Sequence, residues 1–393
     1  MRLSFRTAGE SHGPGMVVLI EGLPSNLLLD IDFIHQELLR RRKGVGRSPR
    51  MEIEEDQIEI LGGVRWKKTL GTPVAILVRN QDYKNWLEIM DPLGDPPPEY
   101  RGVTVPRPGH ADLSGMVKYR FVDLRNVIER ASARETVVRC VAGAIAKTLL
   151  SHFGVTVGGF VESIGPVVVE ENMGWEEKIT RARNSVMATF DPIKEREMVE
   201  LVENARAKGD TLGGRFVVAG LGVVPGLGSY AQFEERLDAQ LSFYLMSIPG
   251  IKGVEIGEGF RSTLLQGSEF HDEIFYDASS SPFPFVRRTN RSGGIEGGIS
   301  NGEVVWVRCA MKPIPTLLRG LQSVDIQSGE PVQARYERSD VCAVPRALVV
   351  GEAMMSWVLA DAYRKKFGGD SLEEMLSNFE SYLSYLETLK KRG

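Results

Sequence analysis

The sequence predicts an α+β fold in which long helices pack between antiparallel β-layers. Three observations carry that expectation. Gly is abundant, at 42 residues, and falls in clusters that separate short β-like apolar runs. Four other segments carry apolar residues at helical spacing. No hinge-like linker or low-complexity tract divides the 393 residues, which therefore read as a single domain over 1–393.

The strand segments are "GPGMVVLIEGLP", "GTPVAILVRN", "GGRFVVAGLGVVPGLG" and "GGISNGEVVWVRCAM", each an apolar run closed by turn residues. The first helix runs from Asp32 to Arg42, with Phe33, Ile34, Leu38 and Leu39 on one face, and stops at Gly44. A second begins at Ser132, where "SARE" has the spacing of a capping box with Glu135 as the reciprocal partner. Its buried face continues through Val137, Val141, Ile145 and Leu149 to a stop at Gly154. The third covers Ala231 to Met246, and the fourth runs from Pro345 to Phe367 ahead of a helical tail. "DPLGDPPPEYRG" reads as an exposed loop.

Composition excludes several classes. Apolar content of 42% and charged content of 25% are those of a soluble globular chain. Cys140, Cys309 and Cys342 lie far apart and form no metal-binding pattern, and Met1 opens no signal peptide, so a reduced, cytoplasmic protein is expected. The longest apolar run, Val137 to Leu150, is interrupted by Arg139 and Lys147 and is too short to span a bilayer. A net charge of -4 argues against a general nucleic-acid binder, yet "RRRKGVGRSPR" (Arg40 to Arg50) holds five arginines and one lysine. Arg40, Arg41 and Arg42 suit a helix C-terminus. Arg47 and Arg50 sit in a Gly/Pro loop, where guanidinium groups can converge on a phosphate or carboxylate.

Two of the five histidines have unusual settings: His12 in "AGESHGPG" and His110 in "PRPGHADLSG". Flanking glycines let a ligand approach closely, and histidine changes charge near neutral pH. "RNVIERASARETVVR" places Arg130, Ser132, Ala133 and Arg134 around a helix start, which favours an anion. There is no GxGxxG, Walker A or HExxH motif. On residues alone two readings stay open: an enzyme acting on a small, multiply charged anion, and a non-catalytic RNA- or anion-binding protein.

"AGESHG", "RPGHAD", "ERASARET" and "MKPIPT" followed by "ERSD" resemble, in order, the signature segments of the chorismate synthase family; "GDTLGG", "GLGSY" and "KGVEIGEGF" match between them. The resemblance covers essentially the whole chain. It implies a β-α-β sandwich, a homotetramer, and anti-1,4-elimination of phosphate from 5-enolpyruvylshikimate-3-phosphate (EPSP) to give chorismate. It also implies reduced FMN with no net redox change, against which stands the alternative of an FMN oxidoreductase with net hydride transfer. By resemblance, His12 acts at the leaving phosphate, His110 protonates or stabilises the reduced flavin, and Asp340, helped by Ser11, accepts a proton from flavin N5. Arg50, Arg107, Ser132, Arg134 and Arg338 would contact the substrate. FMN would meet Arg130, Ser132, Ala133, Pro249, Gly250, Gly297, Lys312, Pro313, Ile314, Pro315, Thr316 and Arg338. NADPH, as a possible reductant, would meet Arg41 and Arg47, unless an external flavin reductase serves. No metal, nucleic acid or membrane is implied. Two departures from the family pattern stand out: Ala131 replaces a frequent serine, and Pro249-Gly250 replaces Asn-Ala.

Overall fold

In the computed structural model, which describes residues 2–45, 56–170, 173–337 and 339–392, two antiparallel sheets enclose a layer of helices. The first sheet takes β1 (Ser4–Ala8), β2 (Gly15–Glu21), β3 (Ile58–Gly62) and β4 (Val74–Arg79) in the order β1-β2-β4-β3. Its inward face follows from strict alternation. Met16, Val18 and Ile20 of β2 and Val74, Ile76 and Val78 of β4 are all buried, while Leu19 points outward.

Helices α1 (Ile31–Arg42), α2 (Asp112–Tyr119), α3 (Arg125–Ala131) and α4 (Thr136–Ser151) follow. The second sheet is built from β5 (Thr156–Ile164), β6 (Val167–Val168), β7 (Gly214–Leu221), β8 (Ile251–Ile256) and β9 (Val305–Met311), ordered β8-β9-β7-β5-β6. Around it lie α5 (Trp175–Asn184), α6 (Pro192–Ala207) and α7 (Leu237–Met246), and the chain ends in α8 (Val344–Phe367) and α9 (Leu372–Thr388).

The middle layer explains the composition of α8. This helix packs on α4, α1 and α7 and on strands β5 and β7, so nearly every one of its 24 residues is buried. Close packing against α4 requires a glycine: a Cβ on Gly143 would stand 2.2 Å from Cβ of Ala353. No helix among the described residues is long and apolar enough to cross a membrane.

One buried ion network ties this layer together. Lys147 of α4 donates to Glu37 of α1 at 2.6 Å and to Glu352 of α8 at 2.7 Å. Arg40 adds two bonds to Glu352, at 2.8 and 2.9 Å, and one to Glu37 at 2.8 Å. Burial pushes both glutamates up, and the Lys147 and Arg40 cations outweigh it, holding both below the usual carboxylate range. The basic cluster is therefore not all one anion clamp, because Arg40 answers to carboxylates inside the helix layer.

Helix boundaries differ from the sequence expectation in two places. The second helix begins at Thr136, after a 3₁₀ turn at Ala133–Glu135, and the capping box does not form. Ser132 Oγ accepts from the Arg134 amide at 3.3 Å, while the Glu135 carboxylate is taken by Thr7 Oγ1 at 2.9 Å and Arg139 Nε at 2.8 Å. A charge-assisted pair with Arg139 outcompetes a bond to the backbone. The third helix starts at Leu237 because Phe233–Glu235 makes its own short 3₁₀ turn. A true capping box occurs instead at Ser371 and Glu374, opening α9. All three cysteines are buried and free, and burial pushes the thiols of Cys140 and Cys309 up to about 12.

Candidate active site

Connections at one end of the sandwich enclose a cavity of about 730 Å³. The β1–β2 loop brings Ser11 and His12, and the stretch before α2 brings Arg107 and His110. The α3–α4 junction contributes Ala131 to Arg134, the turn between α7 and β8 contributes Pro249 and Gly250, and the segment after β9 contributes Lys312 to Thr316. Ser339 and Asp340 enter just before α8. Residues at the starts of both α4 and α8 line the cavity, so two long helices aim their positive dipole ends at it. Ile128, Ile248, Met311, Ile314 and Val350 supply apolar wall.

His12 is held on three sides. Asn80 Nδ2 donates to the carbonyls of Ser11 at 3.1 Å and Gly13 at 2.9 Å, which fixes the loop. Glu129 of α3 accepts from the His12 amide at 2.8 Å and meets ring Nδ1 at 2.8 Å. Trp86 lies against the ring with centroids 3.9 Å apart. Burial pushes Glu129 up, but its bonds to His12, together with Arg125, bring the carboxyl below its ordinary value.

His110 has a matching partner. Its Nδ1 meets Asp112 Oδ1 at 2.6 Å, and Asp112 is wholly buried at the start of α2. The other Asp112 oxygen accepts from the Arg107 amide at 3.0 Å and from Arg107 Nε at 2.8 Å. Burial again pushes the carboxyl up, and the His110 and Arg107 hydrogen bonds dominate, leaving it far below the usual range. The loop is clamped from below by Lys312, whose Nζ donates to the Gly109 carbonyl.

A third carboxylate organises the arginines. Asp56 accepts from Arg134 Nη1 at 3.0 Å and from Arg41 Nη2 at 3.2 Å, and both arginines line the cavity. Ser11 Oγ and Ser132 Oγ are 3.0 Å apart. Asp340 is ion-paired with Arg346 of α8.

Most residues singled out from the sequence meet here: Ser11, His12, Arg41, Arg107, His110, Ser132, Ala133, Arg134, Pro249, Gly250, the Lys312 to Thr316 stretch and Asp340. Two stand apart. Arg130 is turned toward β1, donating to the Thr7 carbonyl at 3.0 Å and the Gly9 carbonyl at 3.1 Å, and does not line the cavity. Gly297 sits in the hairpin joining Ile295–Glu296 to Ile299–Ser300, also off the cavity. Arg47, Arg50 and Arg338 lie outside the described residues. Sequence reasoning missed Glu129, Asp112, Asp56, Arg346 and Trp86. Asp112 left a signal, two residues after His110 in "RPGHAD".

One cavity thus carries two carboxylate-backed histidines and several arginines. The family model described as chorismate synthase matches residues 3–363. The chain belongs to the chorismate synthase family. The chorismate synthase of Pelobacter propionicus is 50% identical over 392 residues, covering 98% of this chain and 100% of that protein. That of Alkaliphilus metalliredigens is 50% identical over 378 residues, covering 96% and 98%. A crystal structure of a chorismate synthase superposes with a TM-score of 0.79 at 39% identity, covering 99% of both chains. Chorismate synthases are lyases, this chain among them, and the family implies a flavin cofactor.

Proposed function

We propose that this chorismate synthase converts EPSP to chorismate by anti-1,4-elimination of phosphate, with reduced FMN and no net redox change. The observation that carries the reading is the pair of His–carboxylate units, His12–Glu129 buried and His110–Asp112 half-buried, in one arginine-lined cavity. EPSP carries two carboxylates and a phosphate. Arg107, Arg134 and the two helix N-termini meet that charge, joined by Arg50 and Arg338 as the family pattern implies.

The cavity also suits a flavin. Apolar wall from Ile128, Ile248, Met311 and Ile314 fits a flat ring system, and polar Lys312 and Thr316 stand beside it. Ser132, Ala133, Pro249, Gly250 and the Lys312 to Thr316 stretch would hold FMN. Ala131 and Gly250 both face the cavity, so the two departures from the family pattern lose side-chain contacts there. When bound, reduced FMN would supply a transient electron to the elimination, with no net redox change. The chain's own residues do the rest. His12 would deliver a proton to the departing phosphate, His110 would stabilise negative charge on the cofactor, and Asp340, beside Arg346, would take up the proton that the substrate ring loses by way of the cofactor.

The same reading makes the enzyme a cytoplasmic homotetramer; Phe243 and Met246 of α7, 68% and 45% exposed, are apolar surface of the kind a subunit interface covers. The test is anaerobic conversion of EPSP with photoreduced FMN. Chorismate should form with reduced flavin in catalytic amount. Reductant consumed one-for-one with product would favour a net redox enzyme instead.

A further inference from the structure

We infer that Glu129 is a positioning residue that sets the tautomer of His12. It keeps a proton on Nδ1, so that Nε2 is the nitrogen exchanging a proton in the cavity. The inference rests on the reading of His12 as the acid at the leaving phosphate. Its physical core is independent of that reading.

An ionised carboxylate can only accept hydrogen bonds. Glu129 Oε1 lies 2.8 Å from His12 Nδ1, so a neutral ring must carry its hydrogen there. The proton delivered to phosphate then comes from Nε2: the N–H bond breaks, its electron pair stays on Nε2, an O–H bond forms, and the ring is left as the Nδ1–H form. The doubly protonated ring before transfer also needs an acceptor at Nδ1. Glu129 is that acceptor in both states. Trp86, against the ring at 3.9 Å, blocks rotation that would exchange the two nitrogens. Arg125 meets the same carboxylate at 3.4 Å and also faces Glu337 at 3.7 Å, so it steadies Glu129 without depending on it.

One substitution separates this role from mere anchoring of the loop. Glu129 Oε2 accepts from the His12 amide at 2.8 Å. In Glu129→Gln the amide oxygen must take that position, because an NH₂ group there would face an N–H. The NH₂ is then forced toward Nδ1. The loop anchor survives, but the ring now meets a donor, so the neutral form becomes Nε2–H and the doubly protonated form loses its acceptor.

The experiment uses full-length protein with ¹⁵N-labelled histidine, read by magic-angle-spinning NMR at alkaline pH, with His12 assigned by difference against His12→Asn. The native His12 should be the Nδ1–H tautomer and the Glu129→Gln ring the Nε2–H tautomer. Turnover of Glu129→Gln should fall by about 10²–10⁴-fold, the range for a general acid held in the wrong tautomer, with KM for EPSP little changed. An Nε2–H ring in the native protein overturns the inference, even if the variant fails to fold. Unchanged tautomer, or normal turnover, in Glu129→Gln overturns it too. Native protein that forms no chorismate from EPSP would instead sink the proposed reaction and leave the tautomer result standing.

Discussion

Asp340 and Arg346 form an ion pair at the cavity wall, and that pairing shapes what an Asp340 variant should do. Asp340→Asn keeps the shape and a hydrogen-bond partner for Arg346 but removes the carboxylate proposed as proton acceptor. Turnover should collapse while FMN binding, followed by flavin fluorescence, changes little; a normal rate would remove Asp340 from the mechanism. Arg134 differs, because its partner Asp56 also holds Arg41. Arg134→Ala therefore leaves Asp56 paired and acts mainly on the substrate. EPSP affinity by calorimetry should weaken by about 1.5–3 kcal/mol, the scale of a lost charge-assisted contact. The histidines and arginines were legible because glycine context and local charge density are sequence-local. Their carboxylates were not. Glu129 reaches His12 across 117 positions of chain, and a buried acid looks like any surface acid until the fold closes over it.

Among the elements, the long helices owe their packing to two kinds of contact: close approach at Gly143 and the four-residue ion network of Glu37, Arg40, Lys147 and Glu352. Glu352 is fully buried, so Glu352→Gln should leave Lys147 and Arg40 undercompensated and cost about 3–5 kcal/mol in urea unfolding. The pH response follows from the sign of the shifts. Glu37, Glu352, Glu129 and Asp112 all have folded pKa values below their ordinary ones. Their contribution is complete above the ordinary carboxyl range, and is lost as pH falls through the lower folded values. Native stability should thus hold down to about pH 5 and decline below it, less steeply in Glu352→Gln. Stability that rises on acidification would contradict the network. The apolar spacing of α1 marked that helix from sequence, whereas α2 and α3 are only eight and seven residues long, too short to show a full helical repeat, and the carboxylates they carry, Asp112 and Glu129, meet His110 and His12 only in the folded chain. A capping-box spacing at Ser132 was misleading because a cation four residues beyond Glu135 competed for it.

For the molecule as a whole, the arrangement of the arginines and sheets bears on where the electrons for a bound flavin would come from. Arg41 was the sequence's candidate for a nucleotide phosphate. It shares Asp56 with Arg134, the candidate for substrate, so both arginines belong to one wall of one cavity. A nucleotide phosphate on Arg41 would crowd the anion on Arg134. No glycine-rich strand–turn–helix motif stands in the sequence to hold a dinucleotide elsewhere. The two principal sheets are antiparallel throughout, so they lack the parallel switch point at which such cofactors bind. On the proposed reaction, hydride transfer would also need the nicotinamide on the flavin face that EPSP would occupy. The expected outcome is an enzyme with no flavin reductase activity of its own. Anaerobic protein with EPSP, oxidised FMN and NADPH should stay nearly inactive until dithionite or a separate reductase is added, and NADPH should compete with EPSP if it binds at all. Bleaching of FMN by NADPH alone, at rates matching turnover, would overturn this and make Arg41 a cofactor ligand.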